Sequence, residues 1–299
     1  MLTSRSRRRP IPTTQATESA TERGTDTTFK FKALVAAVAL TVSAPLWAQD
    51  GKVKVQWLGQ AVFKITTVLG KVIVIDPWLT SNPKTPEAYR KLEALGKVDL
   101  VLVTHGHFDH IADAPALAKM NEAPLWAPAG LSQSLAMLGV LPPAQALRMN
   151  KGGTVTPVGP NVKVTMVRAE HSSELVWKNP ATGKDEVHVG GEAGGFIIEF
   201  ENGFKLWHMG DTGVFGDMRL IGEMYKPDLV LMPIGGGQFV MNPSDAAMAA
   251  RDLIKAKIVI PMHYLTNPGL PGTPAQFSAA LGSASVKVLV LQPGDTAEF

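Results

Sequence analysis

The stretch Thr104-His105-Gly106-His107-Phe108-Asp109-His110 decides the fold of this 299-residue chain. Three histidines and one aspartate, all candidate metal ligands, fall within six of these residues. The stretch follows the run Val98-Asp99-Leu100-Val101-Leu102-Val103, which is short, apolar and rich in β-branched residues, and which therefore predicts a buried strand. The candidate ligands thus lie where a buried strand ends.

Imidazole and carboxylate groups at this spacing fit divalent metal ions such as zinc, manganese or iron. His105 and His107 alternate along a loop, so both can point to one side and share one ion. Asp109 and His110 begin an expected helix, where adjacent residues diverge by about a quarter turn and can serve a second ion. Four candidate ligands within six residues disfavour the alternative, a histidine-rich loop that binds no ion.

The composition suits one globular domain and excludes several kinds of site. Cysteine is absent, which rules out disulfides, thiolate metal sites, a cysteine nucleophile and a lipoprotein anchor. The first 32 residues hold seven of the 29 Lys and Arg residues and three of the 26 acidic residues. The rest carries 22 basic and 23 acidic residues, so we expect a small-molecule substrate and no nucleic acid as partner.

The first 48 residues have the pattern of an export leader. Residues 1–28 are polar, two lysines follow, and residues 33–44 form an apolar core that is short for a membrane span. We therefore predict a signal peptide cleaved near Ala48 and a periplasmic or secreted protein. Its mature domain would cover residues 49–299, with no stable membrane span after cleavage. An uncleaved membrane anchor is the alternative.

Strand and helix patterns alternate through the mature chain. The predicted strands fall at 52–57, 61–67, 71–75, 98–103, 124–128, 162–167, 196–200, 204–208, 228–232, 257–261 and 286–291. The predicted helices fall at 87–95, 109–120, 130–138 and 246–256. Asn242-Pro243-Ser244-Asp245 is a strong helix start, and Glu201-Asn202-Gly203 joins two strands as a hairpin. The order indicates one layered α/β domain.

Three further candidate ligands follow other predicted strands. Each of His171, Asp211 and His263 comes within four residues of a strand's end. In layered α/β folds, loops at one edge of the sheets converge, so ligands distant in sequence can share one site. Together with the first cluster, they fit two metal ions with three protein ligands each and one shared carboxylate.

In this order, the ligands resemble those of the metallo-β-lactamase superfamily: His-x-His-x-Asp-His, a later His, Gly-Asp-Thr and a His after a late strand. The resemblance covers residues 51–299 and implies an αββα sandwich built from two similar halves. Finer matches resemble the metal-dependent hydrolase branch near the ascorbate-phosphate lactonases. They are Asp76-Pro77-Trp78, His171-Ser172-Ser173, Gly210-Asp211-Thr212, Pro233-Ile234-Gly235-Gly236 and Pro261-Met262-His263-Tyr264.

The resemblance also implies a role for each ligand. One metal ion would be held by His105, His107 and His171, the other by Asp109, His110 and His263, with Asp211 as the bridge. Zinc is the default for these donors, and manganese or iron fits the same ligand types. Asp109 would in addition act as a catalytic residue that passes a proton to the leaving group.

Two divalent ions would lower the pKa of a bridging water, so that hydroxide exists near neutral pH and attacks a carbonyl carbon or phosphorus. The ions would also stabilise the oxyanion that forms. We therefore expect an exported dinuclear metal-dependent hydrolase of a small ester, lactone, amide or phosphoester. A phosphodiesterase or nuclease on the same fold is one alternative, and a metal-bearing binding protein without turnover is another.

Several other side chains have expected places around this site. Asp76 and His208 would stand behind the ligands and orient them rather than bind metal. A role in the turn is the alternative for Asp76, and a place in the core is the alternative for His208. An apolar pocket wall would come from Trp78, Phe239, Met241 and Tyr264. Gln60 departs from the histidine that related proteins often carry in its turn. Within residues 174–195, the segment 177–184 is either a lid over the site or a plain surface hairpin.

Overall fold

The computed structural model describes residues 51–179 and 181–299. The predicted leader, its apolar core and its cleavage point lie outside these residues. No helix in the described residues is both long enough and apolar enough to cross a membrane. The strands of this part of the chain are β1 Lys54–Trp57, β2 Phe63–Thr66, β3 Val72–Ile75, β4 Leu100–Leu102, β5 Leu125–Pro128, β6 Ala146–Met149, β7 Thr154–Val155, β8 Lys163–Arg168, β9 Glu174–Lys178, β10 Asp185–Val189, β11 Gly194–Glu199, β12 Lys205–His208, β13 Leu229–Pro233, β14 Ile258–Met262, β15 Lys287–Val288 and β16 Thr296–Glu298.

Short helices connect these strands. The α-helices are α1 Phe108–Ile111, α2 Ala114–Asn121, α3 Ala129–Met137, α4 Met218–Tyr225, α5 Pro243–Met248 and α6 Pro274–Leu281. A π-helical segment at Ala249–Ile254 continues α5, and 3-10 turns cover Glu87–Tyr89 and Leu92–Leu95. The single helix expected at 109–120 is therefore wrong: Pro115 lacks the N–H that would continue α1, so α2 starts anew.

Two seven-stranded sheets of the same design form the centre of the fold. The first has the order β16-β1-β2-β3-β4-β5-β6 and the second β15-β14-β13-β12-β11-β8-β7. In the first sheet, neighbouring strands are antiparallel from β16 to β3 and parallel from β3 to β6. In the second sheet, they are parallel from β15 to β12 and antiparallel from β12 to β7. Strands β9 and β10 form a separate antiparallel pair. The two halves of the described chain thus repeat one pattern.

The apolar core lies between the two sheets. Phe63 of the first sheet and Phe196 of the second are fully buried in one cluster there. Removing either ring would lower the free energy of unfolding by about 3–5 kcal/mol. Helices α2 and α3 cover the outer face of the first sheet, and α4 to α6 cover the second, with Leu117 and Phe277 among the buried contacts. The predicted αββα sandwich is confirmed.

Local sequence signals account for some elements and miss others. The predicted hairpin is present, with β11 antiparallel to β12. Asn242 starts α5 as predicted, because its side-chain oxygen accepts a hydrogen bond from the Asp245 N–H at 2.9 Å. The helix expected at 87–95 is instead two 3-10 turns, which the extended backbone of Lys91 separates. The strand expected at 286–291 is only two residues long, and β16, which pairs with β1, was not predicted.

Candidate metal centre

The seven predicted ligands meet at one edge of the sandwich, in the loops that follow β8, β12 and β14 and in the loop and helix α1 that follow β4. They form two groups in which one nitrogen or carboxylate oxygen per residue lies within 4.8 Å of the others. The first group is His105, His107 and His171, and the second group is Asp109, His110, Asp211 and His263. Ligands separated by more than 150 residues in sequence are thus neighbours in space.

Three imidazole nitrogens converge in the first group. The Nδ1 atom of His107 lies 3.0 Å from Nε2 of His105 and 3.3 Å from Nε2 of His171. Burial lowers the pKa of His105 well below its usual range, and burial also lowers the pKa of His171. Neutral rings are the form that binds metal, so this group is ready to act as a set of nitrogen ligands.

Carboxylates and imidazoles alternate in the second group. Nε2 of His263 lies 3.0 Å from Oδ2 of Asp211 and 3.4 Å from Oδ2 of Asp109. Nε2 of His110 lies 3.4 Å and 3.7 Å from the same two oxygens. The oxygen of Asp211 is also 3.8 Å from Nε2 of His171, which belongs to the first group. Asp211 is therefore the side chain that reaches both groups.

The charges of the second group are balanced within it. Burial raises the pKa of Asp109, yet the rings of His110 and His263 outweigh burial and lower that pKa to about 2. Burial lowers the pKa of His263, but Asp211 and Asp109 raise it to about 9. His110 follows the same logic, and its pKa lies well above the usual range. The two carboxylates therefore favour the protonated form of both rings when no metal is bound.

Asp76 supports ligands from both groups. One of its oxygens, Oδ2, accepts hydrogen bonds from Nδ1 of His110 at 2.8 Å and from the Thr104 hydroxyl at 2.7 Å. The Thr104 oxygen lies in turn 3.0 Å from Nδ1 of His105. Because Nδ1 of each ring is occupied in this way, Nε2 is the nitrogen that faces the site. The place expected for Asp76 behind the ligands agrees with this geometry.

His208 supports the backbone rather than a ligand ring. Its Nδ1 accepts the N–H of Gly210 at 3.2 Å, and its Nε2 lies 2.9 Å from the carbonyl oxygen of Ala61. Gly210 has a φ of +64°, and a Cβ there would lie 2.8 Å from the Gly194 carbonyl oxygen. Glycine is thus required to turn the chain into Asp211, and His208 holds that turn.

Glu174, which the sequence did not single out, supports His107. Its carboxylate lies 3.2 Å from Nε2 of His107, which leaves Nδ1 for the first group. The contact depends on the docking of β9 against the loop at Gly106, where a Cβ would lie 2.9 Å from the Glu174 carbonyl oxygen. Ser173 closes the same junction, since its hydroxyl accepts the Gly106 N–H at 3.1 Å. Proximity to His171 in sequence was the only available signal.

Gln60 lies directly against the second group. Its Nε2 donates to Oδ2 of Asp109 at 2.8 Å and is 2.7 Å from Nε2 of His263. The residue is almost completely buried and has a φ of 51° in the turn between β1 and β2. Gln60, which replaces the histidine that related proteins often carry, therefore contacts two candidate ligands directly.

The donor set fits a divalent metal ion. Four polar atoms of the second group and its neighbour Gln60 are buried without a hydrogen-bond partner: His110 Nε2, Asp211 Oδ1, His263 Nδ1 and Gln60 Oε1. A buried polar atom left unpaired costs about 1–3 kcal/mol, and such atoms in native structures often mark an ion or a ligand. Imidazole nitrogens and carboxylate oxygens are also the donors that zinc, manganese and iron accept.

A cavity of about 330 Å³ opens over both groups. Its lining residues are His107, Phe108, Asp109, His171, Glu174, Val176, Asp211, Phe239, His263, Asn267 and Leu270. Of the four side chains expected in its wall, Phe239 is present. Strands β9 and β10 form a hairpin, of which residue 180 is not described, and β9 contributes Glu174 and Val176 to the cavity wall.

The other three expected wall residues are directed elsewhere. Trp78 is buried in the core, with its ring centroid 5.4 Å from that of Phe108, which lines the cavity in its place. Met241 is buried under the second sheet. Tyr264 stacks on Trp57 with ring centroids 5.4 Å apart. The expectation was wrong for these three because packing against core neighbours, which the sequence does not reveal, decides where they point.

Comparison with known proteins agrees with this geometry. A family model described as the beta-lactamase superfamily domain matches residues 71–264. A UPF0173 metal-dependent hydrolase of Cupriavidus necator is 62% identical over 251 residues, which cover 83% of this chain and 86% of that protein. One of a Polaromonas species is 58% identical over 270 residues, 90% of this chain and 98% of that protein. These relatives define a class of enzyme, the metal-dependent hydrolases. The chain belongs to the UPF0173 family within the β-lactamase superfamily.

Solved structures support the same conclusion. Igni18, a metallo hydrolase of Ignicoccus hospitalis, is 33% identical with a TM-score of 0.69, over 83% of this chain and 98% of that chain. YhfI of Bacillus subtilis, a metallo-beta-lactamase fold protein, is 14% identical with a TM-score of 0.58, over 83% and 100%, and shows the fold alone. The chain is an enzyme, so the alternative of a binding protein without turnover is set aside. The branch near the ascorbate-phosphate lactonases stays a prediction.

Proposed function

We propose that the two ligand groups hold one divalent ion each, with zinc as the first choice, and that the enzyme hydrolyses a small ester, lactone, amide or phosphoester. The observation that carries this proposal is the position of Asp211. Its Oδ2 lies 3.0 Å from Nε2 of His263 and 3.8 Å from Nε2 of His171, so one carboxylate contacts both groups. A single-ion site would need no such shared residue.

Divalent ions in these groups would supply a water molecule of lowered pKa and a positive field for the oxyanion of an attacked carbonyl or phosphoryl group. The residues of the chain prepare this chemistry. Asp76 and Thr104 fix the rings of His110 and His105 so that Nε2 faces the site. Glu174 contacts Nε2 of His107, so that Nδ1 of this ring faces the site. These contacts restrict the ligand rings before substrate arrives.

Asp109 is the group best placed to carry a proton to the leaving group. It lines the cavity, and its side chain is 16% exposed, whereas those of His110 and His263 are almost fully buried. Gln60 donates to one of its oxygens at 2.8 Å, which limits rotation of the carboxylate. We expect Asp109→Asn to lower kcat by about 100-fold, the usual contribution of general acid and base catalysis. Full turnover in Asp109→Asn protein with both metals bound would exclude the role.

Metal content is the direct test of the proposed function. We expect purified enzyme to contain two equivalents of metal by elemental analysis, and to hydrolyse members of a panel of esters, lactones, amides and phosphodiesters. His105→Ala should lose metal and activity. His188→Ala is the matched control, because His188 lies on β10 and belongs to neither ligand group. Less than one equivalent of metal, with His105→Ala behaving like the unmodified enzyme, would overturn the proposal.

We further propose that the enzyme is exported to the periplasm or secreted. The support is the polar start, the apolar core at 33–44 and the small residue Ala48 in the sequence. Cell fractionation followed by N-terminal sequencing tests this proposal. A mature N-terminus near Gln49 in the exported fraction is expected, and an intact leader in the cytosolic or membrane fraction would contradict it.

A further inference from the structure

The rim of the cavity is apolar and exposed. The side chains of Phe108, Val176 and Phe239 all line the cavity, and these residues are 66%, 54% and 48% exposed. Leu270, which is buried, completes the wall. Large apolar side chains that gather at the mouth of a cavity in this way mark a surface that a ligand covers.

Two of these side chains lie next to ligands or to a residue that supports one. Phe108 stands between the ligands His107 and Asp109, and its ring meets the buried Trp78 edge to face at 82°. Val176 is two residues beyond Glu174 on β9, so the two side chains point to the same face of the strand. Phe239 lies in the loop between β13 and α5 and closes the rim from the second half of the fold.

Apart from its histidines, the described cavity lining has acidic residues as its charged members. Asp109, Glu174 and Asp211 are acidic, and each of them contacts a histidine. Neither lysine nor arginine occurs among the described residues of the lining. Arg168, in an adjacent surface depression, is paired with Glu170 and Asp217. The lining histidines are all proposed ligands and would bind metal as neutral rings, so an anionic group on the substrate would depend on the ions that the reaction itself requires.

We infer that this enzyme prefers uncharged esters, lactones or amides that carry an alkyl or aryl group, and that this group lies against Phe108, Val176 and Phe239. The inference rests on the proposed function and narrows its substrate class. It disfavours phosphodiesters and nucleic acids, whose flanking phosphates need basic side chains for recognition. The apolar group would be desolvated by the rim while the scissile bond faces the metal ligands.

A chain-length series is the first test. Aryl acetate, butyrate, hexanoate and octanoate esters with one common leaving group present the same scissile bond with increasing apolar area. We expect kcat/KM of the metal-loaded enzyme to rise up to about fourfold per methylene until the cavity is filled, since each buried methylene contributes about 0.8 kcal/mol to binding. A flat series, or a phosphodiester with the same leaving group that is hydrolysed better than the octanoate, would overturn the inference.

A pair of valine variants supplies the matched control. Val187 lies directly opposite Val176 in the β9–β10 pair and is 71% exposed, yet it does not line the cavity. We expect Val176→Ser to lower kcat/KM for the octanoate about fivefold and for the acetate less than twofold. Val187→Ser should change neither value. Equal effects of the two variants, or equal effects on both esters, would contradict the proposed contact.

Binding measurements separate this inference from the proposed function. The free carboxylates acetate, butyrate, hexanoate and octanoate carry the same chains as the esters but have no bond to hydrolyse. Calorimetric titration of the metal-loaded enzyme with them measures the contribution of the chain to binding without turnover. Affinity that increases with chain length, and less so in Val176→Ser protein, supports the apolar wall even if none of the esters is a substrate. Affinity independent of chain length refutes the wall. A metal content of one equivalent would refute the two-ion proposal alone.

Discussion

The two ligand groups of this enzyme lie side by side but differ in charge. The first group consists of three imidazoles, and burial keeps His105 and His171 neutral by lowering their pKa values. The second group has two carboxylates and two imidazoles, and its rings are protonated at pH 7 when no metal is bound, with the pKa of His263 raised to about 9. The first group is thus ready for a metal ion, whereas the second must release protons to bind one.

The two groups also differ in how they are supported. Asp76 is fully buried and contacts His110 directly and His105 through Thr104, so it acts on both groups. Glu174 is more than half exposed, and the ligand that it contacts is His107 of the first group. Water can therefore compete with the support of His107 but not with the contacts of Asp76. Four variants and one pH series test this comparison.

The largest effect is expected for Asp211→Asn. Asp211 is a carboxylate ligand that contacts rings of both groups, so loss of its charge should weaken metal binding at both and lower kcat/KM by about 10³-fold. Metal analysis and a hydrolysis assay on the same protein check the two effects. Asp217→Asn is the control, because Asp217 is exposed and pairs with Arg168 away from the cavity. An Asp211→Asn enzyme that keeps one ion at full affinity would show that Asp211 binds metal in one group only.

A pair of supporting carboxylates gives the next effect. Asp76→Asn should weaken metal affinity of both groups by about 100-fold, the upper end for partners of ligand rings, because the contacts of Asp76 are buried. Glu174→Gln should weaken only the first group, by about threefold, because water competes with its contact. Competition with a chelator measures both affinities, and circular dichroism verifies folding. A larger loss of metal affinity in Glu174→Gln than in Asp76→Asn would refute the distinction between buried and exposed support.

The pH dependence of metal affinity should separate the groups. Protons on His263 and His110 must leave before an ion binds the second group, so its affinity should rise with pH up to about 9, by about tenfold per unit for each proton released. The first group should change little above pH 7, because His105 and His171 are already neutral. His105→Ala protein reports the second group and His263→Ala protein the first. Equal slopes in the two variants would contradict the charge difference.

A smaller effect than that of Asp76→Asn is expected for Gln60→Ala. The variant removes the amide that donates to Asp109 and should weaken metal binding by the second group about tenfold, the value of one hydrogen bond to a charged partner. The first group should be unaffected. Gln56→Ala is the matched control, since the Gln56 amide contacts Tyr89 and the Gly294 carbonyl oxygen instead. An equal loss of affinity in both groups would show that Gln60 acts through the fold and not through Asp109.

The candidate ligands could be predicted from the sequence because they follow the ends of strands. All seven ligands follow strands that the apolar pattern predicts, and the geometry gathers them in two groups with the membership that the resemblance implies. The layered fold was predictable for the same reason, because strands and helices alternate along the chain. Asp76 was predictable as a support because it ends β3 beside the strand that leads to the ligands.

The rest depends on contacts between distant elements. Glu174 reaches His107 only because β9 docks on Gly106, and no local pattern indicates that junction. Gln60 reaches Asp109 through a turn in which its own φ is 51°, a conformation that is uncommon for glutamine and that the sequence does not predict. Trp78 and Tyr264 are directed by core neighbours. A pattern of apolar residues tells which side chains are buried, but not which of them line a cavity.

The division of the ligands between the two halves of the sandwich has a mechanical consequence. The first half supplies His105 and His107 to one group and Asp109 and His110 to the other, while His171, Asp211 and His263 come from the second half. An ion in either group would therefore cross-link the two sheets. In a chain without cysteine, coordination bonds can take the part that disulfides play elsewhere. A chelator would then act on this enzyme as a reductant acts on a disulfide-bonded protein.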